Sequence, residues 1–188
     1  MMKRWIMFAC GLLLVCMPLE SQAVNTEEEA YTVAVGLYND GLIDLARDQF
    51  QQFLKQFPQS PQSPFIRFLL GECDYRQKKY DSAIQQYQRG IADYPGNIYN
   101  TQMFYKLGRA YFLSQNYAAA QDTFREFIKN YPQNFQVQDA YYWLGETYFQ
   151  RGKYQEAIAA YEEIITRFPT YELLDYAYYS SAWCYLNT

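Results

Sequence analysis

The sequence has no histidine among its 188 residues. That absence removes Ser-His-Asp triads, imidazole–metal sites and the commonest general base at neutral pH. No P-loop, dinucleotide fingerprint, nucleophile elbow or calcium-loop pattern occurs either. Asn39-Asp40-Gly41 is a turn signal rather than a metal loop, and Glu162-Glu163 falls on a polar helix face as surface charge. Positive charge is scarce: 16 basic residues stand against 20 acidic ones, and no basic stripe appears. Nucleic acid is therefore not an expected partner. Catalytic residues, a cofactor and a bound metal are not expected. What the chain has in abundance is aromatic surface, with 21 tyrosines, 13 phenylalanines and three tryptophans. Half of all residues are apolar, enough to build a core for one domain or an array of small units.

The first residues read as a targeting segment. Lys3 and Arg4 precede an apolar run from Trp5 to Leu19, and Ser21-Gln22-Ala23 places small residues where a signal peptidase cuts. Residues 1–23 thus have the layout of a secretory signal peptide, and the expected location is exported, periplasmic and possibly outer-membrane-associated. A retained anchor is the rival reading, but the run is shorter than the ~20 residues a span needs. Cys10 and Cys16 lack the neighbours of a lipidation cysteine. Cleavage removes two basic and one acidic residue, leaving 14 basic against 19 acidic residues and a net charge of −5. Association with a membrane is expected only through partners or through an unprocessed N-terminal segment.

The rest of the chain repeats. Proline recurs at Pro58, Pro95, Pro132 and Pro169, a step of 37 residues. Ala46, Ala83, Ala120 and Ala157 keep the same step, as do Ala34, Gly71, Gly108, Gly145 and Ala182. No insertion interrupts the series, so the period marks a stacked array. Each unit reads as two helices. Tyr141, Leu144, Gly145 and Tyr148 show helical spacing in the first; Tyr154, Ala157, Ile158, Tyr161, Ile164, Ile165 and Phe168 show it in the second. Turn signals such as Tyr38–Gly41 and Gln150–Lys153 separate them. Proline closes the second helix, because its ring cannot continue the hydrogen-bond ladder. Thr26 with Glu29 forms a capping box at the predicted start of the array.

These residues resemble the tetratricopeptide repeat (TPR). Trp143-Leu144-Gly145 with Tyr148, then Ala157, Tyr161 and Pro169, match its pattern, and the resemblance covers about residues 26–188. It implies an all-α fold: an α-solenoid of antiparallel helix pairs wound into a right-handed superhelix. The array would occupy residues 24–188, in units of about 27–63, 64–100, 101–137 and 138–174 with a half unit at 175–188. The 37-residue step and the run from Phe124 to Pro132 look like a bacterial envelope subgroup. That subgroup includes the periplasmic Tol-Pal-associated division coordinator and the TPR lipoprotein of the outer-membrane β-barrel assembly machine. This chain lacks the coiled coil that precedes the repeats in the first and the lipobox of the second.

Columns 37 residues apart divide the rings into two sets. Phe50, Tyr87, Phe124 and Tyr161 form a core column, beside Tyr111, Tyr148 and Tyr185 with Leu37 and the odd Asp74. Phe57, Tyr94, Tyr131 and Phe168 precede the prolines. The small residues at Gly71, Gly108 and Gly145 let the paired helix approach. A two-helix unit cannot cover its own apolar face, so units must stack.

The second set lies on the first helices. Tyr31, Phe68, Tyr105, Tyr142 and Tyr179 form one column and Tyr38, Tyr75, Phe112 and Phe149 another, with Val35, Glu72, Arg109, Glu146 and Trp183 between them. The resemblance implies that this face lines a concave, peptide-binding groove. Rings there would supply rigid contact area, and the charges would set register. The plainer alternative is that the rings pack between neighbouring first helices. The terminal-carboxylate clamp of cytosolic relatives is not expected, since Lys106 and Arg109 stand alone. Gln51, Gln52, Gln85, Gln88, Arg125, Glu126, Glu162 and Glu163 would face solvent on the other side.

Cys73 and Cys184 share one column, three units apart, with Gly36, Ala110 and Thr147. Helices packed ~8–10 Å apart put them beyond disulfide reach of each other. They read as small buried residues, with a bond to another chain as the alternative. The sequence reaches Thr188 at the close of a first helix rich in Tyr and Trp, so a longer chain or a covering partner is expected. The functional expectation is a non-catalytic scaffold for protein–protein interaction in the cell envelope, binding other envelope proteins or peptides in outer-membrane assembly or division-linked complexes. The alternatives are the recognition module of a longer envelope enzyme and a glycan- or peptidoglycan-binding groove.

Overall fold

The computed structural model describes residues 26–188; residues 1–23, read above as a signal peptide, fall outside them. Among the described residues the chain forms α-helices and no strand. They are α1 (Glu27–Asn39), α2 (Ile43–Gln56), α3 (Ser63–Arg76), α4 (Tyr80–Asp93), α5 (Asn100–Leu113), α6 (Tyr117–Asn130), α7 (Val137–Gln150), α8 (Tyr154–Arg167) and α9 (Leu174–Leu186). None is long and apolar enough to cross a membrane. From α3 on, first helices begin every 37 residues, at Ser63, Asn100, Val137 and Leu174, and second helices at Ile43, Tyr80, Tyr117 and Tyr154. Each helix packs on the next in sequence, and α5 also touches α7, as α7 touches α9. In this part of the stack successive first helices approach one another and second helices do not come as close, so the first helices take the inner side.

The boundaries have local causes. Thr26 caps α1: its Oγ1 accepts from the Glu29 amide at 3.2 Å, while the Glu29 carboxylate accepts from the Thr26 amide at 3.1 Å. Every second helix stops two residues before a proline. The intervening Phe57, Tyr94, Tyr131 and Phe168 hold ψ between 52° and 61°, off the helix, as the following proline ring demands. Inside each hairpin one residue must turn left-handed. Gly41 and Gly152 do so freely at φ 78° and 68°, but Lys78 and Gln115 take the same place at φ 60° and 64°.

Packing within a hairpin turns on one small residue. A Cβ on Gly71 would fall 2.5 Å from the Tyr87 ring, on Gly108 2.7 Å from Phe124, and on Gly145 2.5 Å from Tyr161. These rings are fully buried. Gly90 makes room in the same way for the Met103 thioether of the next unit. The half-buried set is different: Tyr111 and Tyr148 are partly covered, whereas Tyr185 is exposed and only its hydroxyl is engaged, donating to Glu162.

The odd Asp74 is explained by its neighbours. It is completely buried, accepts from Arg47 Nε of α2 at 2.6 Å and from the Ser82 hydroxyl of α4, and so ties three successive helices together. Cys73 and Cys184 are both buried free thiols. Burial pushes the Cys73 thiol up to about 12 and raises that of Cys184, so neither is a thiolate at neutral pH.

Two substitutions test this account in opposite directions. Gly108→Ala drives a methyl into a buried ring and is expected to cost about 1–3 kcal/mol. Gln115→Gly relieves a left-handed non-glycine residue and is expected to stabilise by a few tenths to about 1 kcal/mol, net of the added flexibility of the unfolded chain. Urea unfolding of the two variants measures both.

Candidate functional site

The inner side is built from the first helices, and side chains 34 residues apart meet where one first helix approaches the next. Four such junctions exist in the described array. At each, a residue on one helix (Val35, Glu72, Arg109 or Glu146) is related by the repeat to the others, and so is its counterpart on the next first helix (Leu69, Lys106, Trp143 or Ser180). A ring beside them completes the set: Tyr38, Tyr75, Phe112 or Phe149.

The four junctions are filled differently. At the first, Val35 and Leu69 belong to one apolar cluster, and the Arg76 guanidinium lies 4.5 Å over the Tyr38 ring. At the second, Lys106 Nζ is 2.8 Å from Glu72 Oε2 and 5.1 Å above the centre of the Tyr75 ring. At the third, the Arg109 guanidinium lies 3.9 Å over Trp143, and Phe112 meets the indole edge-on with centroids 5.1 Å apart. Cation–π contacts of this kind contribute ~0.5–2 kcal/mol each. At the fourth, Ser180 supplies only a hydroxyl, which donates to Glu146 Oε1 at 2.9 Å. A pocket of about 370 Å³ remains there, lined by Glu146, Phe149, Tyr179, Ser180 and Trp183.

The residues expected to line the groove thus fall into three groups. Tyr105 and Glu72 are buried, at 6% and 8% exposure, and present little to a ligand. Tyr31, Tyr38, Phe68, Tyr75, Arg109, Phe112, Tyr142, Glu146 and Phe149 are half-buried, one side against the neighbouring helices. Tyr179 and Trp183 are open, at 63% and 47% exposure. Tyr31 packs on Phe53, Tyr105 on Phe124 and Phe127, and Tyr142 on Tyr161 and Trp143, so these rings also form core. Glu146, Phe149, Tyr179 and Trp183 come together in one pocket. Trp143, Lys106 and Ser180 belong to the same face, and only a comparison of residues 34 apart would have picked them out of the sequence.

The two glutamates have a further task. Tyr87 donates its hydroxyl to Glu72 Oε1, and Tyr161 donates to Glu146 Oε1 at 2.8 Å. Where the core ring is Phe50 or Phe124, which have no hydroxyl, the matching residue is Val35 or Arg109. A buried phenol needs an acceptor, and glutamate stands only where one is needed. On the opposite side Gln51, Gln52, Gln85, Gln88, Arg125, Glu126 and Glu162 are exposed, and Glu163 is half-exposed and paired with Arg167 at 2.8 Å. No cluster of three or more potential metal ligands occurs among the described residues.

Removing the acceptor beneath Tyr87 is expected to be costly. Glu72→Leu should lose about 1–3 kcal/mol by stranding a buried hydroxyl, with a further loss from unpairing Lys106, and adding Tyr87→Phe should recover the hydroxyl's share in chemical unfolding. Alkali tests the same contacts. Burial, followed by the adjacent glutamate, holds the Tyr87 and Tyr161 phenols well above the usual 10, and burial pushes Tyr38 and Tyr142 up to about 12. The fold keeps protons that the unfolded chain releases, so this stability is complete below pH about 10 and is lost as pH rises from there through 12 and beyond. Melting temperature should fall above pH about 10, and phenolate absorbance from these rings should appear together with loss of helix.

A Tetratricopeptide repeat family model matches residues 31–98 and 105–172. No curated protein matches the chain. Among solved structures, a MamA protein superposes with a TM-score of 0.73 at 24% identity, covering 87% of this chain and 82% of that one. A second MamA structure gives 0.69 at 25% identity, covering 82% and 83%. A tetratricopeptide repeat protein from Parabacteroides merdae gives 0.74 at 17% identity, covering 86% of this chain and 60% of its own. Stacked helix pairs, a ring-bearing inner side and a sequence match over most of the array lead to one assignment: the chain belongs to the tetratricopeptide-repeat family.

Proposed function

We propose that this chain is a non-catalytic, protein-binding scaffold of the bacterial cell envelope, exported to the periplasm, which engages a segment of a partner protein along its first helices. Tetratricopeptide arrays are interaction scaffolds, and that much follows from the family. The observation that carries the reading of the site is the fourth junction. Four residues expected to line a groove converge there on one pocket of about 370 Å³, three of them aromatic. Large exposed rings beside half-buried ones are the usual make-up of an interface core. The envelope setting is supported by the charged, apolar and small-residue layout of residues 1–23 and by the likeness of the repeats to the division-coordinator and β-barrel-assembly subgroup. Partners in outer-membrane assembly or division-linked complexes fit that likeness.

Photo-crosslinking in cells tests both parts. A crosslinkable residue at Phe149, Tyr179 or Trp183 should capture envelope proteins, and one at Gln88 or Glu126 on the outer side should not. The exported chain should begin at Val24. Capture only from the outer side, or a chain kept in the cytoplasm at full length, would overturn the reading.

A further inference from the structure

The array contains its own template for what enters the fourth junction. Glu72 and Glu146 are separated by two repeats, as are Tyr75 and Phe149, Tyr87 and Tyr161, and Lys106 and Ser180. At the second junction these positions form a closed site. Lys106 extends over the Tyr75 ring, and its ammonium reaches Glu72 Oε2, while Glu72 Oε1 accepts from Tyr87. At the fourth junction the same parts are present except the lysine. Glu146 Oε1 accepts from Tyr161 and Ser180 at 2.8 and 2.9 Å. No lysine or arginine among the described residues pairs with Glu146, and the volume beside it is open, about 370 Å³ between Phe149, Tyr179 and Trp183.

We propose that this pocket is a receptor for a lysine side chain of the partner protein, which takes the place that Lys106 fills two repeats earlier. The ammonium would pair with Glu146, and the butyl stem would lie against Phe149, Tyr179 and Trp183. Both forces have a precedent in this chain: a carboxylate–ammonium pair at the second junction and cations over rings at the first three. A carboxylate facing rings selects a cation over a neutral chain of equal length, because only the cation pairs with both. Rings of the pocket can cover the apolar stem of the lysine while its ammonium reaches the carboxylate. The inference rests on the reading of this face as a binding surface and names the chemistry that it takes.

The test uses a short peptide with blocked ends and one central lysine, followed through the Trp183 indole N–H resonance of the whole chain. A saturable shift is expected. Affinity should fall at least tenfold in Glu146→Gln and with the acetyl-lysine form of the peptide. Ser180→Lys is the decisive variant, because it rebuilds the internal lysine. It should abolish peptide binding and raise the melting temperature, and the rise should vanish when Glu146→Gln is added. The proposal is overturned if acetyl-lysine or norleucine peptides bind equally well, if Ser180→Lys leaves binding intact, if only an arginine peptide binds, or if no shift occurs. A Trp183 shift driven by protein concentration alone would mean that a second copy fills the pocket, and would overturn it too. Crosslinking of envelope proteins through Phe149 and Trp183 that persists in Glu146→Gln and Ser180→Lys would leave the scaffold reading standing and remove only the lysine site.

Discussion

The close approach of a glycine to a buried ring governs this molecule. Gly71, Gly108 and Gly145 each lie against a ring of the paired helix at a distance that a methyl group could not share. That contact sets the spacing within a hairpin, and the hairpin spacing sets where the next unit can rest. Interiors packed this tightly transmit small changes of volume, and Gly90 with Met103 shows how one unit absorbs a missing ring with a flexible thioether from its neighbour. Side chains 34 residues apart then face each other across successive first helices, as Glu72 does Lys106, Arg109 does Trp143 and Glu146 does Ser180. The inner side therefore presents one frame with four fillings: apolar, ion-paired, cation-on-ring and open.

Polar groups follow the rings rather than leading them. Glu72 and Glu146 stand where a buried phenol needs an acceptor, and Phe50 and Phe124 dispense with them. Asp74 interrupts an otherwise apolar column because Arg47 and Ser82 enclose it. A buried pair of this kind is strongly destabilising to break, although it contributes little beyond an apolar replacement of equal shape. Its effect is to fix how α2, α3 and α4 sit on one another. Inner-side residues accordingly serve the core and the surface together. Tyr142 packs on Tyr161 and Trp143 while keeping part of its ring in solvent.

Much of this was legible in the chain itself. The 37-residue period, the capping box at Thr26 and the prolines that stop the second helices depend on neighbours close in sequence or on exact repetition. The structure reproduces the capping box, the stops before each proline and, from α3 on, the period of the first helices. The expectation of small buried residues at Cys73 and Cys184 had the same basis, since the repeat assigns them a column. Columns also identified which rings share the first-helix face. They could not rank those rings by exposure, because Tyr105 and Tyr142 occupy one column, and one is buried while the other is half-buried.

That difference separates the two sources of information. Periodicity, turn chemistry and the need of apolar helix faces for cover are properties of the chain, so the sequence by itself determined the helix pairs, their order and the side on which each ring starts. Which rings stay open depends on what the next unit places over them. Lys106, Trp143 and Ser180 are one position in the repeat and three different answers, and their partners lie 34 residues away. Only the stacked tertiary structure brings such pairs within contact distance, and so only it decided how each junction is filled.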